Sequence, residues 1–483
     1  MRLSRLLLWS LLAVVGLRLV GLGLYPLMDT TEARYGDISR IMVELNDWIT
    51  PWFNYDVPFW GKPPLGFWLS ALGAKFIGVT EFGLRFPQWL AAMMVLAVVW
   101  GMAARRSRAE ALLSVSVLAG AWVFFVSAGL IMTDIGLVLG VAMAMYAFWV
   151  LVHQPRSGLL NPYALMLFVG LAIAVLSKGP IGLIFSLGPI GLWAIWQRKI
   201  AQTWHSVPWI SGGLLFALLV IPWFIAAELK TPGFLEYFII GEHFNRFLVP
   251  GWEGDMYGSP HDTPRGMIWV FYAIGFLPWT LVIPALLLLN WRRGVRAHWQ
   301  SEDASRNRYL WLFALLPAIF FTLSSHVLTT YVLPSLPAAA LLLGAWLKGL
   351  DAHRRVYRWV AIGMLTTAAF FATVLAVEST YGDLDARSMK FMQASYEADA
   401  SPDSRLVYFQ QQPFSARFYS AGRAKLIESQ AELLALPRDG SVYLAYPKHL
   451  SLPADLRDSV RLVNEHSRFM LYQITESSAE HLP

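Results

Sequence analysis

The stretch Leu24–Trp68, LYPLMDTTEARYGDISRIMVELNDWITPWFNYDVPFWGKPPLGFW, decides how the rest of the chain is read. It carries Asp29, Glu32, Arg34, Asp37, Arg40, Glu44, Asp47, Asp56 and Lys62, yet it lies between apolar runs long enough to cross a bilayer. So many ionisable groups beside a membrane need a reason. The stretch is therefore expected to form much of an active site on one membrane face.

Outward from it, the composition fixes the class. The 483 residues are 56% hydrophobic and 14% charged, with a mean hydropathy of +0.49. Soluble domains are about a quarter charged, so the deficit, with repeated apolar runs near 20 residues, indicates a polytopic membrane protein. The 22 Trp and 29 Phe suit interfacial anchoring. The absence of cysteine excludes disulfides, thiolate nucleophiles and thiolate metal ligation. The net charge of +6 lies mostly in short loops and implies no nucleic-acid partner. The first apolar run, Leu6 to Tyr25, is too long for an ordinary signal core and lacks a clear cleavage site. Arg18 interrupts it near one end, where a side chain can snorkel to the interface.

About eleven spans are expected, at roughly 3–25, 83–103, 110–127, 130–152, 162–177, 179–197, 207–228, 267–289, 309–324, 331–348 and 356–377. Pro64 to Val79 is a further span or a re-entrant helix. With the N-terminus inside, the inside loops collect Arg2 and Arg5; Arg105, Arg106 and Arg108; Arg156; Arg198 and Lys199; Arg292, Arg293, Arg296, Arg306 and Arg308; and Lys348, Arg354, Arg355 and Arg358. The opposite face then receives the 24–68 stretch, Lys178, the 229–266 loop, Ser324 to Thr330 and the C-terminal tail. After about residue 378 charges become frequent and apolar runs shrink to strand length. Arg405–Gln410, Ser441–Tyr446 and Phe469–Thr475 read as strands and Ser429–Leu436 as a helix, which makes a small α/β domain.

The polar clusters of interest all fall on that outer face. In Asp29-Thr30-Thr31-Glu32-Ala33-Arg34-Tyr35, Thr31 can cap a helix starting near Glu32. Ile38, Ile41, Met42 and Leu45 recur at helical spacing, which predicts an amphipathic helix lying on the membrane; the alternative is a solvated juxtamembrane helix with local ion pairs. Pro63 and Pro64 stiffen the entry to the next helix and hold Lys62 at headgroup level among Phe59, Trp60 and Trp68, either to meet a lipid phosphate or as an interfacial anchor. Asp134 sits just inside an apolar run, as a functional carboxylate or a helix cap. Lys178, in Ser177-Lys178-Gly179-Pro180, marks an outer turn. The 229–266 loop offers Glu242, His243, Asn245, Arg246, His261 and Asp262, with no HExxH or comparable metal spacing between His243 and His261. Tyr331 follows Ser325-His326 at an outer helix mouth. No fitting GxGxxG, Walker loop or GxSxG is present, so an activated group would arrive on a lipid. The rival classes are a transporter or flippase of a lipid-linked sugar, and a non-catalytic scaffold. A transporter would be expected to carry paired, helix-breaking repeats, and none is visible.

The order TEARYGDISR…NDWITP…FWGKPPLGFWL…EFGLRFP resembles the first outer loop of the lipid A aminoarabinose transferases, and more broadly the C-type membrane glycosyltransferases that include the protein O-mannosyltransferases. The likeness continues through Thr133-Asp134, Ser177-Lys178-Gly179, Glu242-His243…Arg246-Phe247, Gly275-Phe276-Leu277-Pro278-Trp279, Thr330-Tyr331-Val332-Leu333-Pro334 and Phe414-Ser415-Ala416-Arg417-Phe418-Tyr419. The resemblance implies a mainly α, polytopic helical bundle of the C-type glycosyltransferase kind, with about 11 to 13 transmembrane helices. It spans residues 1–377, with outer segments 24–82 and 229–266, and is followed by a periplasmic α/β domain over 378–483. It implies a multi-pass protein of the bacterial inner membrane with a cytoplasmic N-terminus. Such a protein passes a sugar from a polyprenyl-phosphate donor to a periplasmic-side acceptor: lipid A, lipopolysaccharide or another envelope glycan. Carried over by position, Glu32 or Asp29 would act as base or orient the acceptor. Arg34 and Asp134 would join them at the reacting centre. Lys62, Tyr35, Lys178, His243, Arg246 and Tyr331 would hold the donor and its phosphate. Two positions depart from the pattern: Thr31 replaces an Asp, and Gly61 replaces a Glu that the family ties to a divalent metal. No cofactor is therefore assigned, and aminoarabinose is not assumed as the sugar.

Overall fold

The computed structural model describes residues 2–154, 158–246, 254, 256–258, 263–284, 303–324, 326–350, 353–381 and 383–476. His261, Asp262, Ser325 and Phe247, Arg156, Arg292, Arg293 and Arg296, and the end of the 267–289 span lie outside the described residues. Among the described residues the chain is mostly helical, and six helices are long and apolar enough to cross a membrane, with shorter apolar helices at Leu65–Ile77, Pro162–Lys178 and Ile181–Trp196. It is a multi-pass membrane protein.

The first helix is α1 (Arg2–Gly21), followed by α2 (Thr31–Glu44), a hairpin of β1 (Trp52–Asn54) and β2 (Val57–Pro58), α3 (Leu65–Ile77) and α4 (Glu81–Ala104). Next come α5 (Arg108–Gly120), α6 (Trp122–Ser127), α7 (Asp134–Leu151), α8 (Pro162–Lys178), α9 (Ile181–Trp196), α10 (Ile200–Ser206) and α11 (Trp209–Lys230). Helix α7 is the centre of the bundle: 83% of its apolar window is buried, against 28% for α1 and 22% for α11 at the periphery. Its tightest partner is α8. A Cβ on Gly140 would stand 2.4 Å from the Gly170 carbonyl oxygen, and one on Gly170 would stand 2.9 Å from that of Gly140. Small residues let membrane helices approach to backbone contact, where dispersion rather than the hydrophobic effect holds them.

The expected span 110–127 is broken in two at Ala121. The groups freed by the break are taken up elsewhere, as a lipid-embedded backbone requires. Trp122 N–H donates to the Leu277 carbonyl at 2.9 Å, and the Thr367 hydroxyl donates to that of Gly120 at 2.7 Å. Arg18 does not snorkel. It is 1% exposed, and its Nε and Nη2 donate to the carbonyls of Phe125 and Val126 at 3.1 and 2.9 Å.

Helix α2 does not lie on the membrane surface. It begins at Thr31 with Thr30 as its N-cap, and ten of its residues, including Glu32, Asp37 and Arg40, are buried. One side packs on α3. The other is covered by the helix Phe414–Tyr419 of the C-terminal region, where Ser415 N–H and Oγ donate to Asp29 at 2.9 and 2.6 Å and Arg417 pairs with Asp37 at 3.0 Å. The long helix His353–Tyr381 leads into this region. Its five-stranded sheet has the order β4-β3-β5-β7-β6: β3 (Arg405–Phe409), β4 (Lys425–Ile427), β5 (Val442–Pro447), β6 (Val460–Glu465) and β7 (Phe469–Ile474). β3 runs parallel to β4 and β5, and β7 antiparallel to β5 and β6. β4 and β6 carry no strand expectation from the sequence. The helix between β4 and β5 is Gln430–Leu434, capped by Ser429, whose hydroxyl accepts from Glu432 N–H.

Candidate functional site

Two cavities meet at the end of the bundle opposite the Arg106–Asp303 and Arg306–Glu110 ion pairs. One is an apolar groove of about 350 Å³ walled by Pro180, Ile181, Ile184, Phe244, Phe320 and Phe321. Ile184 is 42% and Phe244 55% exposed, so the groove opens outward. The other is a polar chamber walled by Thr31, Arg34, Tyr35, Gly61, Thr133, Asp134 and Tyr257. Lys62, Lys178, Glu242, Arg246, His326 and Tyr331 border both and form the boundary between them.

The boundary is ionic. The β1–β2 hairpin, closed by Phe59 N–H on the Pro51 carbonyl at 2.7 Å, delivers Lys62, whose Nζ meets Glu242 at 2.8 Å. Glu242 lies in the π-helical segment Glu236–Asn245, and Arg246 Nη1 grips both its oxygens at 2.9 and 3.0 Å. Burial raises the cost of the Glu242 carboxylate, but Lys62 and Arg246 outweigh it and hold its pKa below the usual range. Burial likewise opposes the Lys62 charge, and Glu242 outweighs it, so the ammonium is firmer than usual. Arg246 Nη2 stands 2.7 Å from His326 Nε2. A guanidinium only donates, so that nitrogen accepts and His326 carries its proton on Nδ1.

The second pair comes from the tightly packed helices. Asp134 opens α7 and Lys178 closes α8, and they meet at 2.5 Å, with side chains 6% and 12% exposed. Lys178 Nζ also lies 4.4 Å from the Tyr331 ring centroid. Arg34 Nη1 donates to the Tyr257 carbonyl at 2.6 Å, and its guanidinium sits against the rings of Tyr35, Phe59 and Phe414. Tyr35 is a wall residue, edge-on to Phe59 and Phe67.

Two sequence assignments fall elsewhere, and a third residue, His243, borders the groove alone. Glu32 lines neither cavity: it forms a two-pronged pair with Arg85, at 2.8 Å on each oxygen. Arg85 is fully buried and donates also to the carbonyls of Leu22, Tyr25 and Pro26. The carboxylate is fully engaged in bracing the entry to α2. Asp29 lines neither cavity either; it fastens the C-terminal region through Ser415 and through Arg468 at 3.3 Å. His243 borders only the groove. Burial pushes its pKa down, and the 2.7 Å contact of Nδ1 with the Phe238 carbonyl assigns the proton of the neutral ring to that nitrogen. It packs against Gly179, whose φ of +75° and closeness to the ring, 2.9 Å from a built Cβ, exclude a side chain there.

Glu242 and His326 carry no site assignment from sequence alone. An acidic residue four before an arginine is an ordinary helical pair, and nothing local signals that Lys62, 180 residues away, joins it. The donor set does not fit a divalent cation. Gly61 supplies no ligand, both chamber carboxylates are held by cations, and among the described residues no group of three or more His, Asp or Glu converges.

A family model for dolichyl-phosphate-mannose-protein mannosyltransferases matches residues 1–238. An undecaprenyl phosphate-alpha-4-amino-4-deoxy-L-arabinose arabinosyl transferase of Pseudomonas fluorescens is 30% identical over 69% of this chain and 56% of its own; one of Shewanella sediminis is 28% identical over 74% and 62%. The chain is aminoarabinose-transferase-like. It spans about 62% of the length of the curated relatives it matches. Its fold is that of ArnT from Cupriavidus metallidurans, crystallised with undecaprenyl phosphate, with a TM-score of 0.79, 17% identity and 96% and 97% of the two chains superposed. The likeness of fold thus extends from the first loop to the C-terminal sheet.

Proposed function

We propose that the chain is an integral membrane glycosyltransferase that moves a sugar from a polyprenyl phosphate to an acceptor on the outer, periplasmic side of the bacterial inner membrane, with lipid A, lipopolysaccharide or another envelope glycan as acceptor. The observation that carries this reading is the ionic boundary itself. An apolar groove ends at Lys62, Arg246, Lys178 and Tyr331, and a polar chamber begins there. A polyprenyl chain fits the groove, its phosphate fits the cations, and its sugar then projects into the chamber. Named relatives that act on undecaprenyl-phosphate sugars support the same reading.

In the reaction the acceptor oxygen forms a bond to the anomeric carbon while the bond from that carbon to the phosphate oxygen breaks. The electron pair leaves with the phosphate, and direct displacement inverts the anomeric configuration. Lys62, Arg246 and Lys178 are fixed in place before the charge moves, which is how preorganised cations stabilise a transition state. Tyr331 can add a hydroxyl donor. Asp134 is the chamber carboxylate able to orient the acceptor or take a hydroxyl proton, a role that Glu32 and Asp29 do not reach. The N-terminus is assigned to the cytoplasm, the Arg106, Arg306 and Lys348 end to the cytoplasmic face, residues 1–377 to the membrane domain and 378–483 to a periplasmic domain that roofs α2.

Purified protein incubated with radiolabelled polyprenyl-phosphate sugars and outer-membrane glycolipid should move label from donor to acceptor. Label carried across a vesicle bilayer with no new glycoconjugate would identify a transporter instead.

A further inference from the structure

We infer that the donor sugar is neutral or acidic and not an amino sugar; this rests on the glycosyltransferase reading above. Among the described residues, four cations border the chamber, Arg34, Lys62, Lys178 and Arg246, against two carboxylates, Asp134 and Glu242. Both carboxylates are already engaged. Asp134 accepts from Lys178 at 2.5 Å. Glu242 accepts from Lys62 at 2.8 Å and from Arg246 at 2.9 Å. Two wall positions that could present an acid do not: Thr31 offers a hydroxyl, and Gly61 offers no side chain.

Arg34 has the opposite character. It donates to a backbone carbonyl and stacks among rings, and its Nε is buried without a hydrogen-bond partner among the described residues. A donor phosphodiester brings one negative charge, which leaves the loaded chamber with an excess cation. An ammonium on the sugar would then add to that excess, each chamber carboxylate being paired already with a cation. At roughly 6 Å and an effective dielectric near 20, one uncompensated like charge disfavours binding by about a hundredfold. A hydroxyl or a carboxylate on the sugar would instead find the donor fork of Arg34. The chamber therefore selects donors by charge at the sugar, while the groove and the ionic boundary read only the lipid phosphate that all donors share.

The test uses the full chain in detergent with four ligands on one polyprenyl length: polyprenyl phosphate alone, and its conjugates with a neutral hexose, a hexuronate and a 4-amino-4-deoxypentose. Each competes at pH 7 against a fluorescent polyprenyl phosphate. The hexose and hexuronate conjugates are expected to compete at least about tenfold better than the amino sugar. In Thr31→Asp, which adds a carboxylate of similar size to the wall, the gap between the amino-sugar and hexose conjugates should shrink severalfold, each read relative to bare polyprenyl phosphate in the same variant. Equal competition by all three conjugates, or a preference for the amino sugar, overturns the inference and leaves the glycosyltransferase reading intact. Failure of bare polyprenyl phosphate to compete overturns both.

Discussion

Glu32 is the site for a decisive experiment, because the sequence and the structure assign it opposite work. As a chemical base its loss would stop transfer and spare the fold. As the partner of Arg85 its loss should spare the chemistry per folded molecule and weaken the fold. Arg85 makes bonds to both Glu32 oxygens and to the carbonyls of Leu22, Tyr25 and Pro26, and its guanidinium lies 3.8 Å from the Tyr25 ring centroid. Among the described residues Glu32 is the one acid paired with Arg85, so Glu32→Ala leaves a guanidinium with no exposed surface unopposed. Removing one member of a buried pair costs about 3–5 kcal/mol, and the three remaining carbonyls place this case near 3. Glu32→Gln keeps the shape and one acceptor, and should cost about 1–3 kcal/mol. A double replacement, Glu32→Leu with Arg85→Met, should recover much of the loss, since an apolar pair of similar volume substitutes well for a buried ion pair. The assay is thermal unfolding in detergent, read beside transfer activity per correctly folded molecule. A Glu32→Gln protein that melts like the parent and yet transfers below about 1% of its rate would refute the bracing role and return Glu32 to the chemistry.

Lys62→Ala should weaken polyprenyl phosphate binding by about 10- to 150-fold, the worth of one charge-assisted bond, in a direct titration with fluorescent lipid. His243 has its folded pKa below its ordinary 6.5, so the folded chain takes up that proton less readily than the unfolded one. Its contribution to stability is complete above about pH 6.5 and falls as pH drops below it. His243→Gln should flatten the melting temperature between pH 5 and 7, with lipid binding measured in parallel. Asp29→Ala removes the Ser415 and Arg468 contacts and should loosen the C-terminal region by about 1–3 kcal/mol, visible as faster limited proteolysis of that region while the membrane helices stay protected. Gly140→Ala drives a methyl into the α8 backbone, should cost about 1–3 kcal/mol, and should lower transfer because α7 and α8 carry Asp134 and Lys178.

Much of this was legible in the sequence, for identifiable reasons. Apolar runs and arginine-rich turns repeat along the chain and report spans directly, and Lys62, Lys178, Asp134, Arg246 and Tyr331 do converge at one end. The parts that were not legible depend on distant partners. Nothing near Glu32 announces Arg85, and nothing near Asp29 announces Ser415, 386 residues on. Ile38, Ile41 and Met42 give α2 an apolar stripe whether it meets lipid or protein, so the stripe alone could not tell the two apart. The break at Ala121 falls inside an unbroken apolar run. β6 has exposed residues on both faces and β4 is three residues long, so neither shows the alternation that reveals a strand.

Arg18 has a consequence for how the chain is made. Its acceptors on α6 are 107 and 108 residues further along. During synthesis α1 therefore enters the bilayer carrying Arg18 in its last turn, long before Phe125 and Val126 exist to receive it. The first helix is thus a provisional insertion, completed only when α6 arrives. A foreign anchor helix exchanged for α1 would insert more readily and leave the broken helix without its clasp.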